Sequence, residues 1–371
     1  MKILQLGKFY PPHIGGIETV MYDIVEVLNQ KGYRTDVLCS NKGYMYSEEI
    51  EQGYKVVRTK SFGIKFSTSI TPQMVLKLKN MIRDYDIVHV HLPDPMATLA
   101  LFLVGTKNKK IVLHWHSDII KQKYLLRLFE PLQNWIMRNA DLIIATTPKY
   151  IEESKYLQKY KEKCVPIPIG IDSDRLTVNH NLVLKIKNEN HGKKIVFSLG
   201  RLTYYKGFEY LINAAKELDE GTVVLIGGSG ELMNDLLELI DKNELSKKVK
   251  LVGKISNENL GSYYSACDIF CLPSIAKSEA FGIVQIEAMS FGKPVVATRI
   301  AGSGVDWVNQ HNVTGKNVEP KNAKVLADAF KQIMCDEETY VYLANNARKR
   351  FEELFERGQM VDKIVEAYKK L

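Results

Sequence analysis

The sequence lacks the features that mark disulfide-stabilised or membrane-spanning proteins. Its 371 residues include five cysteines and no CxxC motif, which argues against a disulfide framework or a structural zinc site and favours a reducing, cytoplasmic setting. No apolar run approaches the roughly 20 residues that span a bilayer. The longest candidate, Met96–Gly105, has the length of a buried strand or helix. The opening MKILQLGKFYPP predicts a core strand and not a signal peptide.

Acidic residues are scarce relative to basic ones, but only in the first half of the chain. Residues 1–190 hold 27 Lys+Arg and 19 Asp+Glu, a net charge of +8, whereas residues 191–371 hold 24 of each. The excess predicts that one face of an N-terminal domain meets an anionic surface. A membrane, a nucleic acid or a charged substrate would fit, although no RNA-binding signature is present.

Short, continuously apolar runs predict strands of parallel sheets that are covered on both faces. In the first half they are Lys2–Leu6, Arg34–Cys39, Asp86–His91, Lys110–Trp115 and Asp141–Thr146. In the second half they are Lys194–Leu199, Thr222–Ile226, Val249–Val252, Ile269–Leu272 and, as the last strand, Pro294–Ala297. Helical patterns separate the strands in both halves.

The two strand series predict two domains, because 371 residues exceed one ordinary core. The Pro/Gly-rich VPIPIGIDSD lies between them, and we place the boundary there, after residue 172. The predicted fold is α/β, with two Rossmann-like, doubly wound domains, 1–172 and 173–351, facing each other across a cleft. Ligands bind at the carboxyl ends of parallel strands, so the cleft is the expected site.

The glycine spacing of a dinucleotide-binding loop is missing after the first strand. YPPHIGGIETV places Gly15 and Gly16 where the backbone can approach a ligand at a helix start, but GxGxxG is absent. An NAD-dependent dehydrogenase is therefore disfavoured. IGGSGE, at 226–231, is equally consistent with a phosphate contact and with a plain tight turn.

GRLTYYKG follows the first strand of the second domain, so Arg201 and Lys206 are expected at its carboxyl end. Arginine can fork onto phosphate oxygens and lysine adds a compact charge, which together suit a diphosphate. A solvated basic loop is the alternative, and the motif alone favours that alternative.

SEAFGIVQIEAMSFGKPVVAT sets Glu279 before a predicted helix start and Glu287 inside the helix. Gly282 allows a tight turn, and the free amides of a helix N-terminus favour an anion. If the stretch were helical throughout, the two acids would lie about 12 Å apart, which suits a sugar at one end and a ribose at the other. The alternative is two unrelated helix acids; together with GRLTYYKG, the functional interpretation is favoured.

Four histidines form two HxH pairs, His89 with His91 and His114 with His116. At strand spacing each pair points to one face. A metal site is disfavoured because no carboxylate or cysteine clearly completes the set. His89 and His114 are expected to be buried and hydrogen-bonded, whereas His116, followed by Ser117 and Asp118, is expected to reach the cleft.

Basic and aromatic residues alternate in IIKQKYLLRLFEPLQNWIMRNA, residues 119–140. Lys121, Lys123, Arg127 and Trp135 suit the headgroup layer of an anionic membrane. An ordinary amphipathic helix that packs on its own domain is an equally good interpretation.

These motifs together resemble the family-4 retaining glycosyltransferases of GT-B fold. The resemblance rests on GRLTYYKG, LVGKIS…YYSACDIFCLPS, SEAFGIVQIEAMSFGKPVVAT and AGSGVDWV, with the GGIE loop and the IPIGID linker. It covers essentially the whole chain and is strongest from 195 to 320. Its most specific motif is the acid pair with seven intervening residues.

The resemblance implies a role for each matching position. Arg201 and Lys206 match the pair that binds the donor diphosphate. Glu279 matches an acid that contacts the donor sugar and is often discussed as catalytic, and Glu287 matches an acid on the ribose. His116 matches a cleft histidine near the transferred sugar, with a catalytic or only an orienting role.

Backbone contacts are implied as well. Positions expected to contact sugar or phosphate through the main chain are Gly16, Phe281, Gly282 and Ile283. The base is expected near Gly253–Ile255, and the last helix, about 352–371, is expected to return to the N-terminal domain. Two departures leave the donor open, since AGSGVD puts Asp306 late and GGSGE lacks an aspartate.

We therefore predict a metal-independent, retaining glycosyltransferase that needs no cofactor and moves a hexose from a nucleotide-diphosphate sugar to an acceptor hydroxyl. The basic first half favours a lipid-linked or oligosaccharide acceptor at the inner face of the cell membrane, in surface-polysaccharide synthesis. The protein would be cytoplasmic and peripherally attached, with no nucleic-acid partner. The alternatives are a sugar-nucleotide epimerase of the same fold and a non-catalytic sugar-nucleotide-binding protein.

Overall fold

Two units make up the chain in the computed structural model, which describes residues 1–13, 15–66, 68–106, 108–119 and 123–371. The first unit is Met1–Gly170 together with Arg357–Leu371, and the second is Ile171–Glu356. The predicted boundary lies after residue 172, and the predicted returning segment starts at about residue 352.

The first unit is built on a mostly parallel sheet. Its strands are β1 (Lys2–Leu6), β2 (Arg34–Ser40), β3 (Ser47–Glu51), β4 (Tyr54–Thr59), β5 (Ile64–Lys65), β6 (Thr68–Ser69), β7 (Ile87–Leu92), β8 (Lys110–Trp115), β9 (Leu142–Ala145) and β10 (Cys164–Pro166). Among the described residues, eight of them pair in the order β10–β9–β8–β7–β1–β2–β4–β3. Neighbours run parallel except β3 and β4, and β5 pairs with β6 as a separate hairpin.

The second unit is built on a parallel sheet. Its strands are β11 (Lys194–Leu199), β12 (Thr222–Gly227), β13 (Val249–Gly253), β14 (Ile269–Leu272), β15 (Val295–Thr298) and β16 (Gly315–Val318). They pair in the order β13–β12–β11–β14–β15–β16, and each neighbouring pair is parallel. The predicted α/β fold with two parallel sheets is therefore confirmed.

Helices connect these strands. They are α1 (Gly16–Gln30), α2 (Gln73–Met81), α3 (Pro95–Val104), α4 (Lys123–Asn139), α5 (Pro148–Glu153), α6 (His180–Glu189), α7 (Phe208–Ala214), α8 (Met233–Lys242), α9 (Asn257–Ala266), α10 (Ile283–Ser290), α11 (Val305–Val308), α12 (Ala323–Met334), α13 (Glu337–Leu354) and α14 (Arg357–Tyr368). Short 3₁₀ turns lie at Ile82–Asp84, Leu157–Lys163, Ser173–Arg175, Tyr204–Lys206 and Ala215–Glu217.

The last helix, α14, packs on α1 in the first unit. An ion pair between Lys31 and Asp362, 2.8 Å long, links the two helices at their exposed side. Inside, the ring of Tyr368 is buried and lies edge-on to His89 of β7. The end of the chain therefore contributes to the core below the central strands of the first sheet.

Local sequence explains why Met96–Gly105 is a helix and not a strand. Asp94 accepts hydrogen bonds from the amides of Met96 and Ala97, and Pro95 takes the first helical position. Both are strong helix-start signals. Gly105, with φ of 82°, then ends α3.

The prediction of Pro294–Ala297 as the last strand is wrong. That run forms β15, but Gly315–Val318 adds β16 beyond it at the sheet edge. Its sequence, GKNV, has no apolar run and therefore carries no strand signal. The antiparallel edge strand β3, SEEIE, escapes sequence reasoning for the same reason.

Candidate active site

Two predicted motifs meet at the carboxyl ends of β11 and β14 in the second unit. Residues 200–207 follow β11, and residues 273–282 follow its neighbour β14. The amide of Ile275 donates to the carbonyl of Tyr205 at 2.8 Å. Gly207 has φ of 67°, and a Cβ there would lie 2.2 Å from the carbonyl oxygen of Pro273. Only glycine lets the two segments approach this closely.

The Lys206 ammonium and the Glu279 carboxylate form a buried ion pair, with Nζ 2.6 Å from Oε2. Ser274 donates its hydroxyl proton to the same oxygen at 2.9 Å. Burial alone would lower the pKa of Lys206, but the charge of Glu279 outweighs it and the pKa is raised. Lys206 is therefore a permanent cation at this strand edge.

Arg201 lies beside this pair on the same loop. Its guanidinium is exposed, and Nη2 is 3.5 Å from the hydroxyl of Tyr205. An exposed arginine that is held only by such a long contact can turn toward an anionic ligand. The structure thus places both predicted diphosphate cations on one loop, one buried and one accessible.

The start of α10 supplies amides next to Glu279. Gly282 takes the cap position with φ of 76°, where a Cβ would lie 2.6 Å from Leu272. The amides of Ile283 and Val284, in the first turn, have no acceptor within the helix, whereas that of Gln285 donates to the carbonyl of Gly282 at 2.9 Å. Phe281 is buried with its ring edge-on to Phe355, so only its backbone can serve a ligand.

Glu287 lies one turn into α10 and is held by a tyrosine that the sequence did not single out. Tyr264 of α9 donates to its carboxylate at 2.6 Å. Burial raises the pKa of Glu287, while the bond from Tyr264 and the charge of Lys206 oppose that rise. The only sequence signal for Tyr264 is its place in YYSACD, five residues before the next strand begins at Ile269.

Ser303 of the AGSG loop was also missed. Its hydroxyl donates to the backbone carbonyl of Glu279, which ties this loop to the acid motif. Gly302 has φ of 74° and packs against the side chain of Lys277. Asp306, in the first turn of α11, lies three residues after Ser303.

The other predicted positions lie at strand ends. Gly253 ends β13 with φ of 74°, and its carbonyl accepts from Gly228 at 2.7 Å. Apart from its chain neighbours, no atom of the described residues lies within 4 Å of where its Cβ would be. In the first unit, Gly16 begins α1 after β1, and His116 directly follows β8. Because β1, β7 and β8 are parallel, Gly16 and His116 lie at the same sheet edge.

The four histidines form one buried layer. His91 and His114 are register partners on β7 and β8, and the rings of His114 and His116 stack at 4.2 Å with 5° between their planes. His89 stacks on His91 at 4.9 Å. The expected burial is confirmed, but neither ring nitrogen of His114 has a partner among the described residues, so the expected hydrogen bonding of His114 is wrong.

Candidate metal-ligating nitrogens of His91, His114 and His116 lie within 4.8 Å of one another. Imidazole binds a metal through a lone pair in the plane of its ring. Here the planes are nearly parallel, 5–18° apart, so the lone pairs do not converge on one point. The stacked geometry therefore disfavours a metal site at these three histidines.

Hydrogen bonds run through this layer from the last helix to His116. Nδ1 of His89 lies 2.5 Å from the hydroxyl of Tyr368 and 3.4 Å from the side-chain nitrogen Nε2 of Gln5. The side-chain oxygen Oε1 of Gln5 lies 2.8 Å from Nε2 of His91. Nδ1 of His91 then lies 3.0 Å from Nε2 of His116.

The orientation of Gln5 determines the tautomers. Its carbonyl oxygen can only accept, so His91 carries its proton on Nε2 and accepts at Nδ1. His116 must then donate from Nε2, which leaves a lone pair on its Nδ1. Burial lowers the pKa of His91 and His116 well below the usual value, so both rings are neutral near pH 7. Nδ1 of His116 is thereby prepared to accept a hydrogen bond from a ligand hydroxyl.

The predicted membrane contacts on α4 are only partly described. Lys121 lies outside the described residues, and Lys123 begins the helix. Arg127 is exposed, whereas Trp135 is half-buried with its ring edge-on to Phe102 of α3. Among the described residues, no helix has the length and apolar character needed to cross a bilayer.

Comparison with known proteins decides the family. The model for Glycosyltransferase Family 4 matches residues 14–175, and that for Glycosyl transferases group 1 matches residues 182–350. O-antigen chain mannosyltransferase C of Escherichia coli is 31% identical over 369 residues, which cover 99% of this chain and 98% of that protein. The chain belongs to the family-4 glycosyltransferases.

Other relatives of this glycosyltransferase agree. D-rhamnosyltransferase WbpZ of Pseudomonas aeruginosa is 29% identical, over 96% of this chain and 92% of that protein. Anabaena Alr3699/HepE, solved in complex with UDP-glucose, superposes with a TM-score of 0.79 at 24% identity, with full coverage of both chains. Sucrose-phosphate synthase from Thermosynechococcus elongatus gives a TM-score of 0.80 at 21% identity, over 100% of this chain and 99% of that chain. Both structures support the GT-B fold.

The tautomer of His116 in this glycosyltransferase is testable. In ¹⁵N-histidine-labelled protein at pH 7, long-range ¹H–¹⁵N NMR should show the His116 proton on Nε2. Gln5→Leu removes the acceptor that orients His91 and should give a mixture of His116 tautomers, whereas Gln310→Leu in the second unit should not change the His116 signals. A wild-type proton on Nδ1 would contradict the assignment.

The contact between Tyr264 and Glu287 predicts a pH dependence. Tyr264→Phe removes a hydrogen bond that lowers the pKa of Glu287, so the acid should protonate at higher pH. If ionised Glu287 binds the ribose, the affinity for a nucleoside diphosphate should fall as pH drops, and fall earlier in this variant. Calorimetric titration of UDP, GDP and ADP from pH 8 to 5.5 measures this, with Tyr263→Phe as the neighbouring control. If affinity falls over the same pH range in the variant and the wild type, Tyr264 does not set the pKa of Glu287.

Proposed function

We propose that this glycosyltransferase moves a sugar, with retention of configuration, from a nucleotide-diphosphate sugar to an acceptor hydroxyl. The observation that carries the proposal is the arrangement at the carboxyl ends of β11 and β14. There the buried Lys206–Glu279 pair, the exposed Arg201 and the first amides of α10 belong to adjoining segments. Two cations and a helix N-terminus suit a diphosphate, and a carboxylate beside them suits sugar hydroxyls.

In the proposed reaction the bond between the anomeric carbon and the diphosphate oxygen breaks. The acceptor hydroxyl oxygen forms the new bond on the same face, and its proton passes to the departing phosphate oxygen. Charge that develops on the leaving group would be stabilised by Arg201, Lys206 and the α10 amides. Because these groups already supply positive charge, we propose that no metal and no cofactor is needed.

Glu279 would hold the donor sugar while Lys206 holds the phosphate. An ammonium group has three donors, so Lys206 can keep its bond to Glu279 and still contact a phosphate oxygen. Glu287, oriented by Tyr264, would accept from the ribose hydroxyls. Nδ1 of His116 would accept a hydrogen bond from a hydroxyl group of the sugar.

The relatives suggest the setting. An O-antigen mannosyltransferase and a D-rhamnosyltransferase match nearly the whole chain, and HepE was solved with UDP-glucose. We propose that the acceptor is a lipid-linked glycan in surface-polysaccharide synthesis, and that the protein works in the cytoplasm, attached peripherally to the inner face of the membrane.

Arg201→Ala should weaken transfer. Losing one charged contact to the diphosphate should lower kcat/KM by about 10- to 100-fold. The donor would first be chosen by thermal shift among UDP-, GDP- and ADP-sugars, since a bound donor raises the apparent melting temperature. Arg138→Ala removes an exposed guanidinium of the first unit and serves as the control. Unchanged turnover in Arg201→Ala would remove the diphosphate assignment.

Donor turnover without an acceptor separates transfer from epimerisation. Incubated with the selected nucleotide-sugar alone, the protein should leave the sugar configuration unchanged, and the product with an acceptor should keep the donor's anomeric configuration. Inverted donor in the acceptor-free reaction, read by ¹H NMR, would identify an epimerase instead. Donor binding with no turnover under either condition would identify a binding protein.

A further inference from the structure

Five large apolar side chains of the first unit are exposed together. Tyr44, Met45, Phe62, Ile64 and Phe66 are each between 49% and 69% exposed. Solvent-exposed apolar groups that cluster usually mark a contact surface. We call these five residues, with the lysines between them, the hairpin surface.

Direct contacts join the two loops that carry these side chains. The rings of Tyr44 and Phe62 lie 5.1 Å apart, and the amide of Ser61 donates to the carbonyl of Gly43 at 3.0 Å. Beyond Phe62 the chain turns back through β5 and β6, closed by the amide of Ile70 donating to Gly63 at 3.0 Å. The hairpin and the 41–46 loop therefore form one continuous surface.

This surface lies at the ligand edge of the first sheet. The two loops follow β2 and β4, which run parallel to β1 and β8 through the intervening strands. Their carboxyl ends are thus at the edge that also holds Gly16 and His116. The loop after β1 is a direct neighbour, because the amide of Ser40 donates to the carbonyl of Lys8 at 2.9 Å.

Lysine side chains accompany the apolar groups on both loops. Lys42 and Lys65 are exposed on the same loops, and Nζ of Lys60 lies 4.9 Å from the ring centre of Tyr44. Residues 60–83 contain five Lys and Arg and no acidic residue. Aromatic and aliphatic side chains interleaved with lysine match the interface of an anionic bilayer, where the rings enter the headgroup layer and the amines meet lipid phosphates.

We propose that the hairpin surface docks this protein on an anionic membrane, with the ligand edge of the first unit toward the lipid. The proposal rests on the proposed function, since it would bring a lipid-linked acceptor to the sheet edge that holds His116. A second copy of the chain is a poorer occupant, because its lysines would meet like charges. The surface differs from the α4 contacts that the sequence suggested.

Liposome co-sedimentation tests the proposal with the full chain. Wild-type protein should bind vesicles of phosphatidylcholine with 30% phosphatidylglycerol and bind pure phosphatidylcholine weakly. Phe62→Ser with Phe66→Ser should lower binding about tenfold or more. Lys60→Gln with Lys65→Gln should lower it by a similar factor, since each lysine near an anionic surface contributes roughly fivefold.

Two control variants locate the effect. Leu184→Ser with Leu237→Ser changes two exposed leucines of the second unit and should bind like the wild type. Lys121→Gln, Lys123→Gln and Arg127→Gln together remove three of the basic residues of the predicted 119–140 contact and should cost less binding than the Phe62/Phe66 change. Full binding by the Phe62/Phe66 variant, or loss confined to the α4 variant, would overturn the proposal.

Two further readouts separate the remaining outcomes. Light scattering that shows a dimer abolished by Phe62→Ser with Phe66→Ser, without lipid binding, would identify a second copy as the occupant and overturn the proposal. Donor thermal shifts should be equal in the wild type and the hairpin variants, because the substituted residues lie in the first unit. Absence of any donor shift in the wild type would contradict the proposed function. The vesicle experiment would still decide whether the hairpin surface binds an anionic membrane.

Discussion

The buried pair of Lys206 and Glu279 is the interaction on which the site depends. Removing two charges from water is costly, and their attraction repays the cost only when further hydrogen bonds complete the geometry. Ser274 supplies one such bond, and the approach of Gly207 to Pro273 brings the two loops close enough for the pair to form. A buried charged pair that is retained despite this desolvation cost is typical of a functional site.

Parallel strands explain why distant motifs come together. In each unit the carboxyl ends of the strands lie at one edge, so residues far apart in sequence share a surface. In the second unit this edge gathers the cations, the acids and the start of α10. In the first it gathers Gly16, His116 and the exposed hairpin. In our proposal the second edge carries the donor chemistry, and the first carries the acceptor and membrane contacts.

Sequence reasoning recovers the strands whose apolar runs are continuous and the cations and acids whose spacing is distinctive. It misses β3 and β16, which have polar edge sequences, and also β4 and β10, whose apolar runs are too short to stand out. It also misses Tyr264, Ser274 and Ser303, because a single hydroxyl that orients a carboxylate or a loop has no periodic signature. The tautomer of His116 depends on Gln5, a residue 111 positions away that only strand pairing brings near. Contacts set by tertiary packing were therefore beyond prediction.

The most direct test of the account is a crystal structure with the nucleoside diphosphate selected by thermal shift. We expect its phosphate oxygens within hydrogen-bonding distance of Lys206 Nζ, of the Arg201 guanidinium and of the first amides of α10, with the ribose hydroxyls on Glu287. Phosphates bound away from both the cations and the helix start would contradict the account.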